Sequence, residues 1–389
     1  MKKPPPENPF RYGALALDEA FVDRDRELAE LIADVRNGQD VVIFAPRRYG
    51  KSSLVWRAVS ELGSRRMLVA HVDLMTAPTK QKLAEKLADS IYEHVASVLE
   101  RARERALAPF RNLRVQPTIT VDPLDGRLSF TFGVGRRRAD IDATLERLLE
   151  LPGELGAERR RRVALVLDEF QEIAEIDPDL PKLMRSVFQT QPEVAHVYLG
   201  SRRHVMERIF NDENEPFWRS AKAVELGPID PQPFAAFLDS RFEGTGKRAE
   251  PAVVEELLGR TGGHPYATQE FAYFLWEQTA FGATATGGQL EAALAAVVRS
   301  EHAHFSLVWE RAARAQRLLL EALAAEQPGH PFQGDYRRHH DLPPATTVQK
   351  AARALVQREL VAHDGGAYRI TEPFLAEWIT ANIDRRPNA

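Results

Sequence analysis

The chain has 389 residues, 44% apolar and 28% charged, with a formal net charge of −4. That length exceeds one ordinary compact core and predicts two or three domains, while the near-neutral balance gives no global field toward nucleic acid, so a nucleic-acid site would have to be a local patch. The chain has no cysteine, which excludes a disulfide framework, thiolate-bound zinc and a thiol nucleophile, and fits a reducing cytoplasm.

No apolar run approaches the roughly 18 to 20 residues of a membrane span, so no membrane role is expected. The start, MKKPPPENPF, has no apolar stretch of signal-peptide type and reads as a short extended arm. From Phe21 to Asn37 apolar residues recur at helical spacing (Leu28, Leu31, Ile32, Val35), and Asn37-Gly38 is a helix stop. Val41 to Phe44 is a continuous apolar run of buried-strand type, a glycine-lysine loop follows, and Ser53 to Gly63 reads as a helix. Met67 to Val72 predicts a strand and Lys80 to Leu107 one long helix. Val163 to Leu167, Val194 to Leu199 and, more weakly, Ala223 to Leu226 are further strands. Strands alternating with helices predict a parallel sheet covered on both faces.

Two β-rich stretches, Val115 to Val121 and Arg127 to Val134, flank Asp122-Pro-Leu-Asp-Gly126 and read as an inserted hairpin, about residues 114–135. Arginines crowd around it (Arg101, Arg103, Arg105, Arg111, Arg114, Arg136 to Arg138, Arg159 to Arg162), but interspersed acids favour a solvated face. After Gly227-Pro228 four helices are expected, at Pro233 to Phe242, Pro251 to Gly259, Pro265 to Gln278 and Gln289 to Ser300. Ser306 to Ala325 and Thr346 to Glu359 are amphipathic, then a short hairpin forms around Asp364-Gly-Gly366 and Pro373 to Ile379 closes with a helical turn. That order is a winged helix-turn-helix. The predicted division is 1–228, 229–302 and 303–389.

The strongest chemical signal is Ala45-Pro46-Arg47-Arg48-Tyr49-Gly50-Lys51-Ser52-Ser53, between a strand and a helix. This is the phosphate-binding loop pattern with alanine at the first glycine. Successive backbone N–H groups and the helix N-terminus wrap a phosphate; Gly50 permits close approach, Lys51 reaches the β and γ oxygens, and the Ser52 hydroxyl ligates magnesium. The second signal is the apolar strand ending in Asp168-Glu169. Asp168 is expected at the magnesium and Glu169 as the general base for the attacking water. A strand followed by acids at a helix start is the plain alternative.

Beyond the next strand, Ser201-Arg202 suggests a γ-phosphate sensor, with Arg202 the candidate, though a surface arginine fits as well. Arg219, in Pro216-Phe-Trp-Arg-Ser, is a candidate arginine finger acting in cis or from a neighbouring subunit; the alternative is packing on Trp218. Thr261-Gly-Gly-His264-Pro265 is a tight helix start that either only opens the helix or closes over a nucleotide base. Asp73 ends a strand as a turn cap or a third acid beside the magnesium. His339 and His340 are adjacent, so on a regular element they point apart, and no carboxylate spacing suggests a metal site.

In these motifs the chain resembles the archaeal-type ATPases of the P-loop superfamily, near the origin-recognition AAA+ proteins and the STAND signalling NTPases. Asn8-Pro-Phe10 and Phe21-Val22-Asp-Arg24 look like their N-terminal box, which implies that Phe10, Val22 and Arg24 line an adenine pocket. PRRYGKSS, LVLDEFQ, Gly200-Ser-Arg202, Phe-Trp-Arg219-Ser, Gly262-Gly-His-Pro265 and the tail from Tyr368 to Ile379 follow their boxes in order, with Ala45 and Asp23 standing where glycine is common and Glu372 where aspartate is usual. The resemblance implies an α/β fold: an ASCE/AAA+-like P-loop NTPase core with parallel sheet and β-hairpin insertion, a helical lid and a C-terminal winged helix. It also implies a sensor strand between the loop strand and the acid strand, and the cofactors ATP and Mg2+. Two roles for the ATP stay open: a DNA-associated ATPase contacting duplex DNA through Thr346 to Glu359, or a nucleotide-controlled signalling switch with a protein partner or a homo-oligomer. A chain that binds ATP but barely turns it over is a third reading.

Overall fold

The computed structural model describes residues 7–15, 21–64, 67–96, 103–133 and 138–383. The proline triplet, Arg101, Val134, Arg136 and Arg137 lie outside the described residues. Two compact units emerge, Arg24–Gly227 and Met1–Asp23 with Pro228–Ala389.

The first unit is built on α1 (Asp25–Arg36), β1 (Val41–Phe44), α2 (Lys51–Ser64), β2 (Leu68–Asp73), α3 (Lys80–Ile91), β5 (Val163–Asp168), β6 (Val194–Gly200) and β7 (Lys222–Glu225), with β3 (Thr118–Val121) and β4 (Leu128–Thr131) forming the inserted hairpin. The five-stranded sheet runs β2-β5-β6-β1-β7 with every pair parallel. The strand after the acid strand therefore lies between it and the loop strand, as the resemblance implied. β1, β5 and β6 are buried along almost their whole length, which is why they read as unbroken apolar runs rather than alternating ones. Register between β1 and β6 is reinforced by Asp40, whose carboxylate accepts from the His196 N–H at 2.9 Å and meets its ring Nδ1 at 3.0 Å. β2 is an edge, and the Ser90 hydroxyl accepts its outward His71 N–H at 2.9 Å, covering part of that edge.

Two differences from the sequence expectation have local causes. The helix expected over Lys80 to Leu107 stops at Ile91 and widens into a π turn over Tyr92–Ala96, where His94 Nδ1 sits 3.2 Å from the Ser90 carbonyl. Residues 97–102 lie outside the described residues, and Arg103–Leu107 is helical. The hairpin forms as expected, with Gly126 left-handed at its turn. It is tied to α3 by side chains: Asp89 accepts the Phe130 N–H at 2.7 Å and Glu85 the Phe132 N–H at 3.2 Å, while both phenylalanines are buried.

The second unit is helical: Pro231–Gly244, Pro251–Thr261, Pro265–Gln278 and Gly287–Ser300, then His302–Glu310, Arg314–Ala325, Gly334–His339, Ala345–Gln357 and Leu375–Asn382. Two small sheets accompany them, β8 (Arg248–Ala249) with β9 (Thr284–Ala285), and the hairpin β10 (Val361–Asp364) with β11 (Ala367–Ile370). Gly365 and Gly366 both have positive φ, as a two-residue hairpin turn requires. One core crosses the expected boundary at residue 302: the Phe271 and Phe374 rings meet edge-on at 5.5 Å. Phe10 joins the same core, its ring 5.3 Å from that of Phe242. The N-terminal stretch, expected with the ATPase residues, thus buries its apolar side chains among the helices.

The single helix expected over Ser306 to Ala325 is two. The chain breaks at Arg311-Ala312-Ala313, where the Gln316 side chain accepts the Ala313 N–H at 3.1 Å and Arg317 donates to the Trp309 and Glu310 carbonyls at 2.9 Å each. One polar side chain starts the new helix and its neighbour closes the old one. Among the described residues no helix is long and apolar enough to cross a membrane.

Candidate functional site

Four parallel strands deliver chemistry at their carboxyl ends, the edge of an open α/β sheet where ligands bind. In sheet order these are Asp73 ending β2, Asp168 ending β5 with Glu169 next to it, Ser201-Arg202 after β6, and the Ala45–Gly50 loop after β1. Asp73 and Asp168 are register partners, as are Phe44 and Gly200.

The loop turns through two left-handed residues, Arg48 at φ 66° and Gly50 at φ 85°. Gly50 also opens α2, its carbonyl accepting the Leu54 N–H at 2.9 Å. Lys51 is the first residue of α2 and only 6% exposed, and its ammonium donates to the Ala45 carbonyl at 2.9 Å and the Pro46 carbonyl at 3.3 Å. Alanine at position 45 is buried and costs the loop no positive-φ residue, so the missing glycine is accommodated. Arg24 is 4% exposed and donates to the Tyr49 carbonyl at 3.4 Å and the Gly227 carbonyl at 2.6 Å. It holds the loop from behind. Arg47 and Arg48 are exposed, and Ser53 is buried on the inner face of α2.

The Ser52 hydroxyl lies 3.3 Å from Asp168 Oδ2, across 116 residues of sequence. Burial alone would raise the Asp168 carboxyl. The His71 imidazole 3.7 Å away, the Glu169 N–H at 2.9 Å and the Lys51 charge outweigh it and hold the group below its ordinary value. Asp73 is pushed the other way, by burial and by the charges of Asp168 and Glu169, against the Met75 N–H that it accepts at 2.9 Å. It is both the expected turn cap and a third acid in the cluster.

Glu169 has a left-handed backbone, φ 52° and ψ 46°. A side chain in that region costs of order 1–3 kcal/mol, and such strain gathers where geometry is demanded. Here it turns the carboxylate toward β6: Oε2 accepts from the Ser201 hydroxyl at 2.8 Å and from the Gln171 amide. Ser201 is fully buried, Gln171 is 2% exposed, and the Gln171 amide also lies 3.4 Å from the Ser201 hydroxyl. Gly200 makes room for this group, since a Cβ there would meet Met206 at 2.4 Å and Gln171 Oε1 at 2.8 Å.

The remaining expected residues are placed differently. Arg202 forms an ion pair with Glu172, and its neighbour Ser201 is the residue that touches Glu169. Arg219 is exposed and left-handed, its guanidinium 5.9 Å from the ring centre of the equally exposed Trp218. Phe10, Val22, His264 and Pro265 belong to the helical unit. Phe10 and Val22 are buried in its core, and His264 caps the helix that Pro265 opens, accepting the Ala267 N–H at 3.3 Å. Gly263, at φ 70°, lies where a Cβ would come within 2.3 Å of the Ile229 carbonyl. Gln171 and His71 join the cluster without having been expected there. Gln171 was visible as a lone amide in an otherwise apolar-acidic turn; His71 carried no signal, sitting in an ordinary alternating strand.

A family model described as an ATPase domain predominantly from Archaea matches residues 21–271, and one for a probable winged helix domain matches residues 303–381. Among solved structures, a Walker-type ATPase of Pyrococcus abyssi is similar at 16% identity and TM-score 0.67, covering 96% of this chain and 99% of that one. The ORC1 protein of Aeropyrum pernix in complex with DNA is 14% identical at TM-score 0.49, covering 94% of each chain. No protein of curated function matches.

Proposed function

The chain belongs to the family of ATPase domains found predominantly in Archaea, and on that footing we propose that it hydrolyses ATP with Mg2+ at Lys51, Ser52, Asp168 and Glu169 and couples turnover to duplex DNA through its winged helix. The observation that carries the hydrolytic part is the 3.3 Å approach of Ser52 to Asp168, with Glu169 held beside them by Ser201 and Gln171.

The donor set suits a hard cation: a hydroxyl, a carboxylate kept ionised, and a second carboxylate, Asp73, whose charge is costly without one. Bound there with the nucleotide, Mg2+ supplies charge neutralisation on the phosphate oxygens. The protein does the rest. Backbone N–H groups of residues 47–52 and the α2 N-terminus receive the phosphates. The Lys51 ammonium, already aimed along the loop, moves to the β and γ oxygens. The Glu169 carboxylate accepts the proton of the attacking water, and Ser201 and Gln171 fix its direction. Arg219, exposed and backed by Trp218, is offered to a neighbouring copy as the finger.

The DNA part rests on the helix Ala345–Gln357. Its buried face is Val348, Ala351, Ala352 and Leu355, and its exposed face carries Thr346, Thr347, Gln349, Lys350 and Arg353 with no acid in the helix. Hydroxyls, an amide and cations on one face suit phosphate and base edges. Against it, residues 331–389 hold eight Lys/Arg and seven Asp/Glu, which keeps the signalling-switch reading as the competitor. The test is the steady-state Mg-ATP hydrolysis rate with and without duplex DNA at low salt. Salt-sensitive stimulation that Lys350→Ala/Arg353→Ala weakens is expected. A rate indifferent to DNA removes the coupling, and nucleotide-dependent assembly without DNA points to the switch.

A further inference from the structure

Away from the phosphate loop, two imidazoles and a carboxylate converge in the helical unit. We propose that Glu326, His339 and His340 form a binding site for a divalent transition metal of the zinc class. The donor atoms of the three side chains all lie within 4.8 Å of one another. His340 Nε2 is 2.9 Å from Glu326 Oε2, and the two histidine rings stand nearly perpendicular, centres 4.7 Å apart. Tetrahedral zinc holds nitrogen and oxygen donors at about 2.0–2.2 Å, so its ligand atoms sit roughly 3–4 Å from each other. The observed cluster needs only side-chain adjustment to reach that spacing.

Neighbouring histidines diverge when both lie inside a regular helix. His339 is the last residue of Gly334–His339, however, and His340 is its C-cap at φ −104° and ψ 13°, so the second ring leaves the helical direction. Glu326, just past the helix Arg314–Ala325, supplies a ligand from thirteen residues earlier, a spacing that no short motif announces.

The cluster is braced. The Tyr336 hydroxyl donates to the Glu326 backbone carbonyl at 3.0 Å, and the Tyr336 ring packs at a tilt against that of His340, centres 4.4 Å apart. The same tyrosine thus anchors the backbone that carries Glu326 and packs against one imidazole, a support behind the candidate ligands. The nearby Arg338 guanidinium is engaged by Asp335. Two imidazoles and one carboxylate select zinc, cobalt or nickel over magnesium, which takes oxygen donors. Three protein ligands leave a fourth position for water or for a ligand from a partner. The metal would clip the end of one helix to the end of the next and close the loop 327–333.

The experiment is zinc titration by calorimetry on the untagged full-length chain, with Mg2+ in large excess to occupy the carboxylates near Ser52. Expected is about one Zn2+ per chain, an unfolding temperature raised by a few degrees, and affinity reduced at least ~10-fold in both His339→Ala and Glu326→Gln. Glu326 and His339 are exposed, so these variants keep the fold, which the unliganded unfolding temperature verifies. No binding under these conditions, or binding unchanged in either variant, overturns the proposal.

Discussion

The geometry of Glu169 depends on two residues that sequence motifs leave in the background. Its carboxylate has a hydroxyl and an amide on the same oxygen, both from side chains with almost no exposure. Ser201 therefore orients the Glu169 carboxylate, whereas Arg202, the more conspicuous neighbour in sequence, is occupied by Glu172. Ser201→Ala removes one of the two donors and leaves the loop intact. Turnover is expected to fall roughly tenfold to a hundredfold, the scale of a misdirected catalytic group, with KM for ATP little changed. A raised KM at unaltered kcat would show that Ser201 serves binding instead. Lys51, Ser52, Asp168 and Glu169 were legible as candidates, because each lies at or follows a strand end that announces itself. The partnership of Gln171 with Ser201 was not, because it spans thirty residues and forms only when β5 and β6 pair.

At the scale of elements, the parallel strands were legible to within a residue or two, most plainly β1, β5 and β6, whose burial makes them continuous apolar runs, whereas the inserted hairpin strands are shorter than expected and the two-residue pair β8 and β9 carries no pattern. Helices failed where a side chain intervened in the backbone pattern. Gln316 and Arg317 look like ordinary surface residues of one amphipathic helix, yet they make the break at Arg311-Ala312-Ala313. The helix Gly334–His339 is too short and polar to show a period. Lys247 illustrates how a charged residue can join helices. Only 6% exposed, it donates to the Trp276 carbonyl at 2.7 Å with its ammonium 3.2 Å from the Trp276 ring centre, closing the helix Pro265–Gln278. Burial lowers its pKa below the ordinary 10.5. The unfolded chain then binds the proton more tightly, so the cost of the buried charge is fully present below the folded pKa and is relieved as pH rises toward 10.5. Urea unfolding of wild type and Lys247→Met across the alkaline range checks this. The wild type is expected to gain stability relative to the variant as pH rises; a constant difference would mean that burial does not penalise the charge.

At the scale of the whole molecule, the chain divides into a sheet unit carrying the phosphate loop and a helical unit that includes the N-terminal residues. The N-terminal assignment was invisible in sequence, since Phe10 finds its partners more than two hundred residues away. Arg219 bears on how copies of the molecule cooperate. It is exposed on a left-handed turn, with its guanidinium near the Trp218 ring. If it completes the site of a neighbouring copy, specific activity rises with protein concentration in the wild type. Arg219→Ala is expected to abolish that rise and to match the wild type at high dilution. An equal loss at every concentration would assign Arg219 to its own subunit.

Whether Glu169 activates water beside the loop that carries Lys51 and Ser52 is decided by steady-state Mg-ATP hydrolysis of Glu169→Gln, measured alongside ATP binding. ATP is expected still to bind while hydrolysis falls at least ~100-fold, the scale of a lost general base. Hydrolysis at the wild-type rate would contradict that role and move the base elsewhere.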